Sequence, residues 1–406
     1  MTRFRKTKSL KELRKQKVLK ENEDKKLSSI TEKVSTDIEK NFQALKKIFG
    51  ENPGDVVFRR FHIRGKKDYK AFIAYIDGMT DNQVIDNFIL RTTMSGTRAD
   101  GPDKPVVKQD LVEIIKEYAL TIDEVSESNE MKKAISSMLN GDTALFIDGN
   151  DKAFGLNTKG WEHRQVAEPQ SEAVIRGPKE GFTETLRTNT ALIRTRLKDP
   201  YLRVKNYVLG ERTSTNVALI YIEGICEDSL IKKVDERIKN IKIDGVMGSG
   251  YIEQLIEDSH WSPFPTVQDT ERPDKAVANL LEGRIVIVVD GTPFVLLAPA
   301  ILTQFYQSPE DYYERFWIGT FIRVIRVISL FFALLAPSLY IAFVAFHPEM
   351  IPTDLVIAVA AGRSTVPFPA VIEAFIMEIS IEILREASVC LPGIIGPTIG
   401  IVGALV

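Results

Sequence analysis

Two stretches of this 406-residue sequence carry charged side chains at spacings that could do chemistry. The first lies in 370–388. Glu378 and Glu382 are four residues apart and Arg385 is seven beyond Glu378, so on a helix the three fall within a narrow angular range. Glu386 borders that face and Glu373 points well away from it, while Ile372, Phe375, Ile376, Ile379 and Ile383 occupy other positions. A charge at membrane depth costs about 2.5–3.5 kcal/mol on insertion scales, so such residues face protein, water or a partner charge. Two readings follow. The helix is interfacial with a wetted acidic face, or it lines an ion path built from Glu378, Glu382, Arg385, Glu373 and Arg363.

The second stretch is 176–200, RGPKEGFTETLRTNTALIRTRLKDP. Gly177, Pro178 and Gly181 impose a turn, Thr183 is the expected N-cap, and Asp199-Pro200 ends the helix. Leu186, Ile193 and Leu197 keep one face, and Arg187, Arg194 and Lys198 another. A helix N-terminus flanked by Arg176 and Lys179 can hold an anion or an acidic partner. A solvated basic face beside a structural turn explains the same residues equally well.

No catalytic set accompanies these charges. His62, His163, His260 and His347 are far apart and lack metal-ligand spacing, so no metal is expected. There is no Gly-x-Ser-x-Gly elbow and no Walker motif, and Cys226 and Cys390 form no metal or disulfide pattern. No cofactor is implied. A net charge of −2 and the lack of a groove-reading motif argue against nucleic acid as a partner.

The elements that must position these residues fall into two solvents. Only ten charged side chains lie in 318–406, against 98 in 1–317. Residues 327–346, VISLFFALLAPSLYIAFVAF, are twenty without a charge, the length of a bilayer-crossing helix, and Pro337 is tolerated in such a span. Arg323 and Arg326 precede the span as membrane-interface anchors that snorkel to headgroups. Together with Arg315 they place the N-terminal side in the cytoplasm by the positive-inside rule. The basic arm 1–26 has nine Lys or Arg in its first twenty residues and no apolar core of a signal peptide. It reads as a disordered, solvated tail, with attraction to anionic lipid as the alternative. The apolar run 391–406 is sixteen residues, short for a span, so the transmembrane domain at 313–406 is expected to be incomplete at its C-terminus.

Before residue 313 the chain repeats itself. YKAFIAYIDG (69–78) recurs as TNVALIYIEG (215–224), offset by 146, and GDTALFIDG (141–149) recurs as GRIVIVVDG (283–291), offset by 142. The second pair gives β-formers, then Asp-Gly, which is a hairpin signal, and helical patterns lie at 110–119, 129–139, 229–239 and 273–281. The expected fold is therefore two related mixed α/β modules, at 27–157 and, with the basic helix segment, 158–312, followed by an α-helical transmembrane domain.

The sequence closely resembles the A subunits of spore germinant receptors, the GerA family of endospore-forming bacteria. The resemblance runs through RGPKEGFTETLRTNTALIRTR (176–196), YIEG (221–224), PFPTVQDTERPD (263–274) and EGRIVIVVDGTPFVLLAP (282–299). It continues through PSLYIAFVAFHPEMIP (337–352), VPFPAVIEAFIMEISIEILREA (366–387) and IVGALV (401–406). Membership implies a cytoplasmic N-terminal domain and a multi-pass domain in the spore inner membrane. It also implies a transporter-like B subunit that receives the nutrient, a lipoprotein C subunit, and homo-oligomerisation into a ligand-gated, cation-releasing channel. Family members usually continue beyond IVGALV, and a basic residue is common where Cys390 stands. The alternatives are a channel-like paralogue acting downstream with the dipicolinate-release machinery, and a membrane-anchored enzyme, against which the missing catalytic set argues.

Overall fold

The computed structural model describes residues 33–63, 69–86, 125–160, 168–169, 171–172, 174–258, 261–364 and 367–389. The chain divides into two compact units, Met1–Phe305 and Tyr306–Val406. The basic arm, the expected helix at 110–119 and the apolar run 391–406 lie outside the described residues.

The first unit holds two five-stranded sheets. One contains β1 (Val56–Ile63), β2 (Tyr69–Ile76), β3 (Val125–Ser128), β4 (Thr143–Ile147) and β5 (Ala153–Leu156), in the order β1-β2-β4-β5-β3. The other contains β6 (Leu202–Leu209), β7 (Thr215–Ile222), β8 (Gln268–Thr270), β9 (Ile285–Val289) and β10 (Val295–Ala298), in the order β6-β7-β9-β10-β8. The two orders are the same order. Every strand pair among the described residues is antiparallel, so the sheets are not mixed. Short turns join β4 to β5, β6 to β7 and β9 to β10, and a parallel pair would need a long crossover instead.

The apolar runs follow from burial on both faces. In β2, Phe72, Ala74 and Ile76 face one core and Ala71, Ile73 and Tyr75 the other, the two-residue period of a strand. Helices α1 (Ile38–Phe49) and α2 (Met131–Leu139) cover the first of these cores. Phe72 stacks at 4.7 Å on its cross-strand partner Phe146. In the second sheet, α3 (Leu186–Arg196) and α6 (Pro273–Leu281) cover one face, and α4 (Asp228–Asn240) and α5 (Ser249–Ile256) the other. The Asp148-Gly149 and Asp290-Gly291 turns place glycine at φ +80° and +86°, where a side chain would be strained.

The same local bonds hold the first helix of each sheet. Asn41 accepts from the Ser35 amide at 2.8 Å and donates to its carbonyl at 2.6 Å, and Asn189 does so with Thr183 at 2.7 and 2.6 Å. Asp148 accepts from the Ile38 amide at 3.5 Å, and Asp290 from the Leu186 amide at 2.9 Å. Gly149 donates to Thr36 O at 2.8 Å, and Gly291 to Glu184 O at 2.7 Å.

In the second unit a capped 3-10 turn, Pro309–Tyr312, precedes α7 (Phe316–Ile341), which runs on through a π turn at Ala342–Phe346. The continuous helical stretch Phe316–Phe346 has 31 residues and contains an 18-residue window of mean hydropathy 2.3, enough in length and composition to cross a membrane. It starts eleven residues before the uncharged run, because Arg323 and Arg326 continue the helix. Helices α8 (Thr353–Arg363) and α9 (Ala370–Val389) follow.

Candidate functional site

Helix α3 is the element that joins the two sheets. Leu186, Ile193 and Leu197 enter the core of the second sheet, while Ala191 on another face enters the core of the first. Arg194 is 1% exposed, and so is its partner Asp55, which immediately precedes β1. Its Nε donates to Asp55 Oδ2 at 2.6 Å and its Nη2 to Asp55 Oδ1 at 3.1 Å, a bidentate pair across the joint. The guanidinium also donates to Asp199 O at 3.0 Å and Leu202 O at 2.9 Å. Arg187 donates to Gly54 O at 2.9 Å and lies 3.4 Å from Asp77. Lys198 donates to Asn140 Oδ1 at 2.6 Å. Arg203, on β6, reaches back to Ile48 O at 2.8 Å. Gly54 is in close approach to β6, since a Cβ there would stand 2.7 Å from Val204 O.

The basic face, expected either to dock an anion or acidic partner or to lie in solvent, reaches the first sheet through Arg187, Arg194 and Lys198. Arg194 is not a solvated docking residue, because its charge is spent on Asp55. The helix N-terminus is also occupied from within the chain. Asp290 accepts from the Leu186 amide, the cap position is Thr185 rather than Thr183, and Thr183 is bound to Asn189 instead. Arg176 and Lys179 are exposed, Lys179 pairing with Glu168 at 3.0 Å. A cavity of about 710 Å³ opens beside α3, lined among others by Asp77, Asp81, Gly160, Arg187, Thr188 and Arg196.

Sequence reasoning missed Asp55, Asn206 and Arg272. Asn206 donates to Gly54 O at 2.9 Å. Arg272 is fully buried, donating to Glu172 O at 3.1 Å, Pro178 O at 3.2 Å and Asp274 at 2.9 Å. Phe182 N donates to Glu271 O at 2.7 Å. The motifs RGPKEGF and DTERPD are thus bonded to one another. A usable signal existed, since STDIEKN (35–41) recurs as TETLRTN (183–189).

In the second unit Asp311, with its side chain 2% exposed, receives Arg326 at 2.7 and 3.2 Å and Arg323 at 3.3 Å. Arg326 also donates to Tyr306 O at 2.7 Å, and Arg323 lies over the Tyr312 ring. Both arginines, the expected membrane-interface anchors, hold this clasp while keeping 38% and 31% of their side chains exposed. Burial, the largest influence on Asp311, pushes its pKa up, but hydrogen bonds from Arg326, the Ser308 amide and Arg323 outweigh it and leave the pKa lowered.

On α9, Glu382 and Arg385 pair with each other, and Glu378 is exposed with no partner among the described residues. Glu373 pairs with Arg363 of α8 at 3.2 Å, away from that face. Phe375 and Ile383 on the same helix are 67% and 63% exposed. Among the described residues no cluster of His, Cys, Asp and Glu suits a metal ion. Cys226 is a poor nucleophile, because burial pushes its thiol up to about 11.

Comparison with known proteins decides the kinship. The family described as Bacillus/Clostridium GerA spore germination protein matches residues 43–406. The chain belongs to the GerA family. Spore germination protein KA of Bacillus subtilis (strain 168) is 43% identical over 373 residues, covering 92% of this chain and 67% of that protein. Spore germination protein GerLA of Bacillus cereus is 37% identical over 367 residues, covering 90% and 73%. The crystal structure of the N-terminal domain of the A subunit of the Bacillus megaterium spore germinant receptor GerK3 is also similar. It has a TM-score of 0.52 and 36% identity, over 67% of this chain and 98% of that one. The GerA match begins within α1 and takes in both sheets, the joint helix α3 and the apolar helix.

Proposed function

We propose that this GerA protein is the A subunit of a nutrient germinant receptor, acting in the spore inner membrane as its oligomeric, ligand-gated, cation-conducting component. A transporter-like B subunit and a lipoprotein C subunit are its partners, and the first unit is cytoplasmic. The reading rests on one observation above others. An apolar 31-residue helix is followed by α9, which carries exposed apolar side chains around a face with Glu378 and the Glu382–Arg385 pair. Apolar side chains left bare in a single chain call for lipid or further copies of that chain. Carboxylates repeated by an oligomer form a ring that draws cations in. The equal strand orders, and the matching bonds around Asn41 and Asn189, lead us to read the first unit as one module duplicated.

The test is nutrient-triggered release of monovalent cations from spores that carry Glu378→Gln with Glu382→Gln. Release is expected to slow strongly at normal protein level. Glu349→Gln, exposed and outside α9, is the charge control, because Glu373→Gln would strip Arg363 of its partner. Unchanged release in the double variant removes this face from the ion path.

A further inference from the structure

The second sheet displays an apolar end that its own core does not use. Its edge strand β8 is antiparallel to β10, with Leu297 opposite Gln268, so the loop leading into β8 lies beside the chain leaving β10. The Ala300 amide donates to Thr266 O at 2.7 Å and fixes that neighbourhood. The Thr266 amide reaches Glu257 Oε1 at 3.4 Å and ties the loop to the end of α5. On this end Trp261 is 96% exposed and Phe264 63%, and Leu255, Ile301 and Leu302 are exposed as well. The turn that bears Ile301 and Leu302 is held in place, since Gln304 donates to Asn279 Oδ1 at 3.0 Å and accepts from the Ile301 amide. Large apolar side chains grouped at one end of a sheet mark a surface that meets something else.

We propose that this end of the second sheet rests on the lipid bilayer, with Trp261 and Phe264 in the headgroup region. The inference stands on the membrane reading given above. Three observations select lipid as the occupant. The apolar helix begins only eleven residues after Phe305, a stretch that spans at most about 40 Å when fully extended, so the patch is tethered close to the bilayer. That helix opens with exposed Phe316 and Trp317, whose rings lie 4.6 Å apart, the amphipathic aromatic type that settles at the membrane surface. The loop itself is built of Trp and Phe around Pro263 and Pro265, residues that fill an interface rather than pair with another strand.

Carboxylates of Glu253, Glu257 and Asp269 lie near the loop, but the contact itself is made by uncharged rings. Asp258, at the root of the loop, is neutralised by Lys233 at 2.7 Å and by Arg237. Attachment through Trp261 and Phe264 is therefore insensitive to salt, unlike attraction of the basic arm to anionic lipid.

The experiment uses the full chain reconstituted in vesicles of phosphatidylcholine and phosphatidylglycerol, with Cys226 and Cys390 replaced by Ala. Nitroxides are placed singly by Trp261→Cys, Phe264→Cys, Leu334→Cys and Ile175→Cys, the last position being 93% exposed on the same unit. Collision with dissolved oxygen and with a water-soluble nickel chelate is then measured at low and high salt. Labels at 261 and 264 are expected to show several-fold less nickel contact than the label at 175, with retained oxygen contact at both salts. Leu334 in lipid with 261 and 264 as wet as 175 overturns the inference and leaves the membrane reading standing. Labels at 261 and 264 shielded from both reagents overturn it in favour of a protein partner such as a second copy. Leu334 in water overturns the membrane reading, and the inference with it.

Discussion

Removing the carboxylate of Asp55 tests whether the two sheets of the first unit are held by the Arg194 pair. In Asp55→Ala the guanidinium keeps its bonds to Asp199 O and Leu202 O but loses the anion that balances it, at a site where both side chains are 1% exposed. Breaking a buried pair in this way costs about 3–5 kcal/mol, which is a large share of the roughly 5–15 kcal/mol that holds a domain folded. Arg194→Met should cost a similar amount, because it strands the carboxylate and two carbonyls. The double variant should cost much less than the sum of the two, since no charge is left buried. A coupling energy of about 2–3 kcal/mol is expected from the cycle. Hydrogen exchange of the full chain reads the effect directly, because the Gly54 amide donates to Val204 O at 2.9 Å across the joint. Its protection should fall by about two to four orders of magnitude in either single variant. A fall below tenfold, or strict additivity in the cycle, would refute the argument that this pair locks the joint.

Two further outcomes follow from the charged clusters. Asp311→Asn keeps the size of the side chain but weakens its bonds to Arg323 and Arg326, so exchange across 306–313 should accelerate by about 1–3 kcal/mol of lost protection, with the apolar helix unaffected. Asp235 is held at about 2; burial, its largest influence, acts upward, but hydrogen bonds from Lys205, Lys239 and Tyr207 outweigh it. A lowered carboxylate stabilises fully above its ordinary value near 3.8 and loses that contribution as pH falls toward 2, so acid titration should remove about 1–2 kcal/mol there and Asp235→Asn should flatten that limb.

The strands were legible because their physics is local. A strand buried on both faces must be apolar throughout, and β4 and β9, each followed by Asp-Gly, carry that signature plainly. Helix α6 was legible at Pro273–Leu281 because proline fixes its first turn. Beyond those two hairpins strand direction was not legible, since a run such as Tyr69–Ile76 records burial and not the sense of its neighbour. The start of the apolar helix at Phe316 was missed for a related reason. Arg323 and Arg326 look like a boundary by charge, yet arginine is a good helix former, and a single buried Asp311 gives both a partner.

The basic face of 176–200 shows where reading a sequence by composition stops. Spacing sets Arg187, Arg194 and Lys198 on one side of a helix, but what that side meets is a long-range fact. Here it meets the first sheet, through Asp55, Asp77, Gly54 and Asn140. Helix α1 holds the matching place in the first sheet, with Asn41 where α3 has Asn189, yet its exposed face carries Glu39, paired with Arg60 at 3.0 Å. Two helices in equivalent positions thus differ on the outer face. On α3 that face carries buried Arg194 and an Ala191 small enough to share the first core. The charge that looked like an invitation to another molecule is the means by which one half of the unit grips the other. A displacement of either sheet must therefore be carried through α3, or else break a buried ion pair.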